Sequence, residues 1–172
     1  MKVLTTGYKK EFVTLDSFSA ALSLVLIVSV TFFLTFATVP IGRLTLHFFQ
    51  AGIFLAGFLF GPFAGAAVGA VISSYTGLFV INNPWIIFGN VILGFFAAHF
   101  YLRMHPIKAV LLAYIIQLPY LLITDIFLVG MPMSLVAKIA VLLVFGNVIS
   151  SAVAGIIAPS LRMFFVKTKD EE

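Results

Sequence analysis

Residues 50–69 read QAGIFLAGFLFGPFAGAAVG, an apolar stretch in which glycine recurs at every fourth position from Gly57 to Gly69. Small residues at this spacing share one side of a helix and let a second backbone approach closely inside a membrane. The Gly61-Pro62 step separates two helices, because glycine ends helices and proline is favoured in a first helical turn. The stretch therefore predicts a tight hairpin of two membrane helices with their small-residue faces in contact.

The composition identifies the kind of protein. The 172 residues are 62% hydrophobic and 9% charged, whereas soluble domains carry about 25% charged residues. The chain is therefore predicted to be an integral membrane protein and not a soluble helical hairpin. The first apolar run is too long for a signal-peptide core, and no A-x-A-like site follows it, so it is interpreted as a permanent span. The absence of cysteine excludes disulfides and thiolate sites.

Six apolar segments separated by Pro, Gly, Asn or charged residues predict an all-α bundle of six transmembrane helices. The predicted helices are 17–39, 44–60, 62–81, 84–102, 107–129 and 133–158. Pro119 is expected to kink the fifth helix, and Pro159 to bend or end the sixth. We expect residues 17–160 to form the membrane domain, between a polar N-terminal segment, 1–16, and a charged tail, 161–172.

The distribution of basic residues predicts the orientation of the bundle. Lys and Arg concentrate on the cytoplasmic side of membrane proteins. The termini and the loop between the fourth and fifth helices carry Lys2, Lys9, Lys10, Arg103, Lys108, Arg162, Lys167 and Lys169. Arg43 is the exception, in the opposite set of loops. Both termini are therefore predicted to be cytoplasmic, with the loops 40–43, 82–84 and 130–132 outside.

Two ionisable residues, Asp125 and Lys138, fall within predicted spans, where charge is costly and commonly functional. Their helices are antiparallel, and each residue lies five positions from the outer turn, so they are expected at similar depth. A self-neutralising ion pair and a ligand site are both open interpretations. Asp125 would contact a cationic or donor group of a ligand, and Lys138 an anionic group.

Uncharged polar and aromatic residues are further candidates. Asn82, Asn83 and Trp85 lie at the outer end, Asn90 about two turns inside the fourth helix and Asn147 about four turns inside the sixth. Trp85 is either an interfacial anchor or a stacking surface for a ligand ring. Buried Asn side chains make interhelical hydrogen bonds about as often as ligand contacts. His47, Gln50 and Gln117 are weaker candidates, and the three histidines have no spacing typical of a metal site.

Recognisable catalytic and nucleotide-binding motifs are missing. The sequence has no P-loop, no H-E-x-x-H and no G-x-S-x-G, and no Ser-His-Asp set at compatible depth. We therefore expect neither catalysis nor a directly bound cofactor, and the charge of +4 does not indicate nucleic-acid binding.

The segment TVPIGRLTLHFFQAGIFLAGFLFGPFAGAAVGAV and the later NNPWIIFGNVILGFF resemble the substrate-binding S component of energy-coupling factor (ECF) transporters. The resemblance spans about residues 17–160. It implies a six-helix subunit that binds a vitamin or similar micronutrient near the outer face, with loop 40–43 as a lid. Mapped onto this chain, the implied site consists of Asn82, Asn83, Trp85, Asn90, Asp125, Lys138 and Asn147.

The resemblance also implies partners. A transmembrane coupling subunit and two ATPase subunits would supply the energy, so that ATP is hydrolysed by the partners and not by this chain. The family's small-x-x-x-small docking motif has its nearest matches in Ser17/Ala21 and Ser19/Ser23 on the first helix. Ser73-Ser74-Tyr75 occupies a region where family members often carry an acidic residue, and the ligand is left open.

Two other function classes are considered. A stand-alone secondary transporter of a small polar solute would use Asp125 as an ion or proton relay, and its uptake would collapse with the proton gradient. A membrane enzyme is the third class, and the missing catalytic motifs count against it.

Overall fold

The computed structural model describes residues 12–15, 18–42 and 44–169, with side chains as far as Phe165. Its elements, in chain order, are α1 (Phe18–Leu34), β1 (Thr38–Ile41), β2 (Leu44–His47), α2 (Gln50–Phe60), α3 (Pro62–Tyr75), a π-helical segment π1 (Thr76–Val80), α4 (Ile86–Tyr101), α5 (Pro106–Ile123), a second π-helical segment π2 (Thr124–Leu128) and α6 (Met133–Lys169). The predicted segment 1–16 and Ser17 lie outside the described residues, apart from residues 12–15.

The apolar helices fit a membrane environment. Three helical stretches are long and apolar enough to cross a bilayer, Pro62–Val80, Pro106–Leu128 and Met133–Phe165, and three shorter helices are apolar as well. Large hydrophobic side chains face outward, among them Phe63 and Phe127. Such a surface is stable against lipid and not against water. The structure is thus that of a largely helical membrane protein, while the six crossings and the cytoplasmic termini stay predictions.

The region after α1 differs from the prediction. A helix was expected from residue 44, but 38–47 form an antiparallel β-hairpin in which Thr38 pairs with His47 and Ile41 with Leu44. Thr, Val and Ile favour strands, and Gly42 has a φ of +63°, as two-residue hairpin turns require. Leu46 is buried by this arrangement. The hairpin shortens α2, which begins at Gln50.

The glycine-rich hairpin is confirmed. Gly61 ends α2 with a φ of +98°, and Pro62 occupies the first turn of α3. A Cβ atom on Gly65 would lie 3.1 Å from Gly57 Cα, so the two helices do pack through their glycines. The same Cβ would lie only 2.7 Å from the carbonyl oxygen of Gly94. The repeat therefore serves a second contact, between α3 and α4, that the sequence analysis did not predict.

The last helix is longer than predicted. α6 continues through Pro159 to Lys169, so the expected end near residue 158 is wrong. Proline removes one helical hydrogen bond, but contacts further along the helix hold it to the bundle. Arg162 Nη2 donates a hydrogen bond to the Phe58 carbonyl oxygen at 2.7 Å, and its guanidinium lies over the ring of Tyr101. Most of the predicted charged tail is therefore helical.

The core lies between α2, α4, α5 and α6, with α1 at the edge. Phe54, Phe58 and Tyr101 are buried, and the rings of Phe58 and Tyr101 stack with centroids 4.0 Å apart. This rigid apolar half of the bundle contains the chain ends of the described region. The other end, where the β-hairpin and both π-helical segments lie, is polar.

Candidate functional site

A cavity of about 480 Å³ opens between the β-hairpin, π1, π2 and helices α2, α4, α5 and α6. Its volume is typical of small-molecule sites. The polar or aromatic side chains that line it are Thr38, Thr45, His47, Phe49, Gln50, Asn83, Trp85, Asn90, Gln117, Tyr120, Thr124, Asp125 and Asn147. We call it the polar cavity. It lies at the end of the bundle that the charge distribution predicts to be external.

A buried hydrogen bond joins Asn83 and Asp125 in the wall of this cavity. Asn83 Nδ2 donates to Asp125 Oδ1 at 2.9 Å, and the residues are 2% and 6% exposed. Asn83 Oδ1 accepts a hydrogen bond from the backbone N–H of Trp85. Both partners depend on π-helical turns: Asp125 belongs to π2, and the Asn83 N–H donates to the carbonyl of Gly77 in π1. Such turns are frequent at functional sites.

The aromatic side of the cavity is held in place by a backbone contact. The Tyr120 hydroxyl donates a hydrogen bond to the Trp85 carbonyl oxygen at 3.0 Å, which ties α5 to the start of α4. Trp85 itself is 38% exposed. It lines the cavity, so it is not solely an interfacial anchor.

For both Asn90 and Asn147, the sequence analysis left open whether the side chain bonds another helix or a ligand. The structure distinguishes the two residues by their hydrogen bonds. Asn90 Nδ2 donates to Ser73 Oγ at 2.7 Å and so links α4 to α3. Asn147 is 1% exposed, and neither polar atom of its side chain has a hydrogen-bond partner among the described residues. Asn147 lies 14 residues after the start of α6, about 21 Å along the helix. It lines the cavity next to Gly146, which faces Leu46 of the β-hairpin.

Three residues that the sequence analysis ranked low are part of the lining. Gln50 Oε1, Gln117 Oε1 and His47 Nδ1 are buried without hydrogen-bond partners. Burial lowers the pKa of His47 from its ordinary value, and a hydrogen bond with the Thr35 backbone opposes this only in part. Gln117 had a readable signal, because Gln117, Tyr120 and Thr124 recur at helical spacing on the face that leads to Asp125.

Lys138 is not brought to the cavity. Its side chain is exposed, and it does not contribute to the lining. The residues of α6 that do so, beginning with Ile139, Leu142 and Leu143, follow one helical face, and Lys138 is rotated from Ile139 by about 100°. The sequence analysis expected Lys138 and Asp125 at similar depth, as an ion pair or as parts of one ligand site. In the structure Lys138 does not share the cavity with Asp125, because residues at similar depth can lie on different faces of their helices.

Asn82 and the described residues of the predicted lid, loop 40–43, do not line the cavity. Asn82 is exposed and adopts a φ of +55°, so it shapes the turn before Asn83 and does not line the cavity. In the predicted lid, Gly42 has open space around it. The cavity is lined instead by strand residues of the hairpin, including Thr38 and His47. The residue Arg43 lies outside the described part of the chain.

The predicted docking residues lie on α1, at the edge of the bundle. Ala21 is exposed, and Ser19 and Ser23 are half-buried. Ser17 lies outside the described residues. The structure contains one chain, so it leaves their role as a prediction.

The fold is similar to that of the S component of a bacterial ECF transporter, a solved structure. The TM-score is 0.55, the sequences are 24% identical, and the likeness covers 86% of this chain and 95% of that chain. No protein-family model matches the sequence, and no curated protein matches it. The chain therefore has the fold of an S component, as the sequence motifs predicted.

Proposed function

We propose that this protein is the substrate-binding subunit of an ECF-type importer. It would capture a vitamin-like micronutrient in the polar cavity from the outer face of the plasma membrane. The observation that carries the proposal is the cavity itself: about 480 Å³ in volume, it contains buried amide groups without partners, in a fold shared with an S component. Buried polar groups are normally satisfied, so a bound polar solute accounts for them.

The residues have separate roles in this proposal. Asp125, held by Asn83, would bind a donor group of the solute. Asn147 and Gln117 would bind other polar groups of the solute. The β-hairpin would cover the entrance of the cavity. Its Leu46 packs closely against α6, because a Cβ atom on Gly146 would lie 2.7 Å from Leu46 Cδ1.

Energy would come from elsewhere. The sequence contains no nucleotide-binding motif, so a transmembrane coupling subunit and two ATPase subunits would drive uptake. Residues Ser17, Ser19, Ala21 and Ser23 of the first helix are the proposed docking region. ATP would be hydrolysed only by the partners.

The second candidate is a secondary transporter in which Asp125 relays protons or ions. It is favoured by one observation: the buried Asp125 carboxylate is hydrogen-bonded to Asn83 and forms no ion pair with any described residue. Buried carboxylates of this kind occur in proton relays.

Uptake into energised cells distinguishes the two functions. The solute is first identified by mass spectrometry of small molecules released from the purified protein, and its uptake is then measured with and without coexpressed ECF coupling and ATPase subunits. We expect uptake to require the ATPases and to cease when their Walker lysines are replaced, while a protonophore applied at constant ATP has little effect. Uptake that needs no partner and collapses with the protonophore would establish the relay function instead.

A further inference from the structure

The charge of the polar cavity restricts what it can bind. Among the described residues that line it, Asp125 is the one carboxylate, and none is Lys or Arg. Burial lowers the pKa of His47, which disfavours its cationic form, and Lys138 lies on the exterior. Within the described part of the cavity, a negative ligand group would therefore find Asp125 and no compensating cation.

The hydrogen-bonding groups of the cavity add a second restriction. Among the described residues, the buried amide oxygens of Gln50 and Gln117 have no donor, and neither the oxygen nor the NH₂ group of Asn147 has a partner. These residues are 6%, 5% and 1% exposed. Because unsatisfied buried polar groups are destabilising, a ligand that satisfies these groups presents several N–H or O–H donors and at least one acceptor.

The walls favour a flat molecule. Trp85, Tyr120 and Phe49 contribute rings or ring edges to the lining. Aromatic faces attract both planar rings and cations. The Tyr120–Trp85 hydrogen bond keeps this wall in place beside the Asp125–Asn83 pair.

We propose that the ligand of the polar cavity is a planar nitrogen compound, neutral or positively charged, that presents an N–H group to Asp125. Because none of the described lining residues is Lys or Arg, we expect solutes that depend on a free carboxylate or phosphate to bind poorly. This inference rests on the proposed function, which it narrows to one chemical class of solute. The weak binding of anions follows from electrostatics, because an anion placed in a site of low dielectric beside a carboxylate is repelled and loses its hydration.

Three isosteric probes test this charge preference: benzamidine (cationic), benzamide (neutral) and benzoate (anionic). The full-length protein is purified in mild detergent and dialysed free of co-purified ligand, and probe affinities are obtained from the concentration dependence of the melting temperature. We expect benzamidine to bind most tightly, benzamide less tightly and benzoate not at all. Asp125→Asn keeps the shape of the side chain and should weaken benzamidine binding at least about tenfold, as expected for a lost charged hydrogen bond.

Lys138→Met is the matched control, since it removes the nearby charge on the exterior and should leave all three affinities unchanged. The comparison of the three probes on the unmodified protein needs no variant, so it stands even if Asp125→Asn folds poorly. The inference is overturned if benzoate binds as well as benzamidine, if no probe binds, or if a folded Asp125→Asn protein keeps full benzamidine affinity.

The probe-binding experiment and the uptake experiment can fail independently of each other. Benzamidine binding that depends on Asp125, in a protein whose uptake ignores the ATPases, would keep this inference and reject the importer. ATP-driven uptake of a carboxylate solute would keep the importer and reject this inference.

Discussion

Asn147 is expected to favour ligand binding at the expense of the stability of the folded protein. Its amide is buried on α6 and has no hydrogen-bond partner among the residues that the structure describes. A buried amide of this kind lowers the stability of the empty protein by about 1–3 kcal/mol. Residues at functional sites often carry such a cost.

We therefore expect Asn147→Leu to raise the melting temperature of the ligand-free protein, by about 2–4 °C for each kcal/mol gained, and to weaken solute binding. Asn90→Leu is the control. It also removes a cavity amide but breaks the bond to Ser73, so its melting temperature should fall. The melting temperatures of both variants are measured in detergent. Equal decreases in melting temperature would show that Asn147 has an unrecognised hydrogen-bond partner.

Helix α4 forms one wall of the cavity, and its position depends on glycines in α3. A Cβ on Gly69 would lie 2.6 Å from the Asn90 carbonyl oxygen, and one on Gly94 2.5 Å from the carbonyl oxygen of Gly65. These are contacts with backbone, which cannot rotate away. Close approach of α3 and α4 thus holds Asn90 and the following turns of α4 at the cavity.

Gly65→Ala is expected to separate α3 from α4 and to destabilise the protein by about 1–3 kcal/mol, the usual cost of overpacking. Solute affinity should decrease as well, because the α4 wall moves. Ala67→Val, at an exposed position on the same helix, enlarges a side chain without a neighbouring backbone and serves as the control. A Gly65→Ala protein that melts like the control would show that the helices can separate freely.

At the scale of the whole molecule, the polar cavity lies at the end opposite most of the described basic residues, apart from Lys138 near the start of α6. The cavity end contains the β-hairpin, π1 and π2, whereas Arg103, Lys108 and Arg162 lie near the other end of their helices. This asymmetric distribution of basic residues supports the proposal that the solute is captured outside and that the termini are cytoplasmic.

The orientation can be measured directly, because the natural sequence has no cysteine. Met133→Cys places a thiol at the exposed start of α6, and His105→Cys places one in the loop between α4 and α5. We expect a membrane-impermeant maleimide to label Met133→Cys in intact cells and His105→Cys only after permeabilisation. The reverse pattern would place the cavity inside and contradict capture from the exterior.

Much of the architecture was predictable from sequence because its causes are local. Apolar length identified the helices, the Gly61-Pro62 step located the α2–α3 hairpin, and polar residues within apolar runs pointed to Asp125 and Asn147. The β-hairpin was missed, since its short strands lie in an apolar run that also suits a helix. The continuation of α6 past Pro159 was missed because it depends on Arg162 reaching α2.

Sequence by itself determined that this is a helical membrane protein with a polar site near one end, because hydropathy and the cost of buried charge act residue by residue. Tertiary structure alone decided which polar groups share that site. It placed Asp125 beside Asn83, 42 positions away along the chain, and it turned Lys138 outward. Depth in the membrane can be counted along a helix, but the direction a side chain faces is set by how the helices rotate and pack against one another.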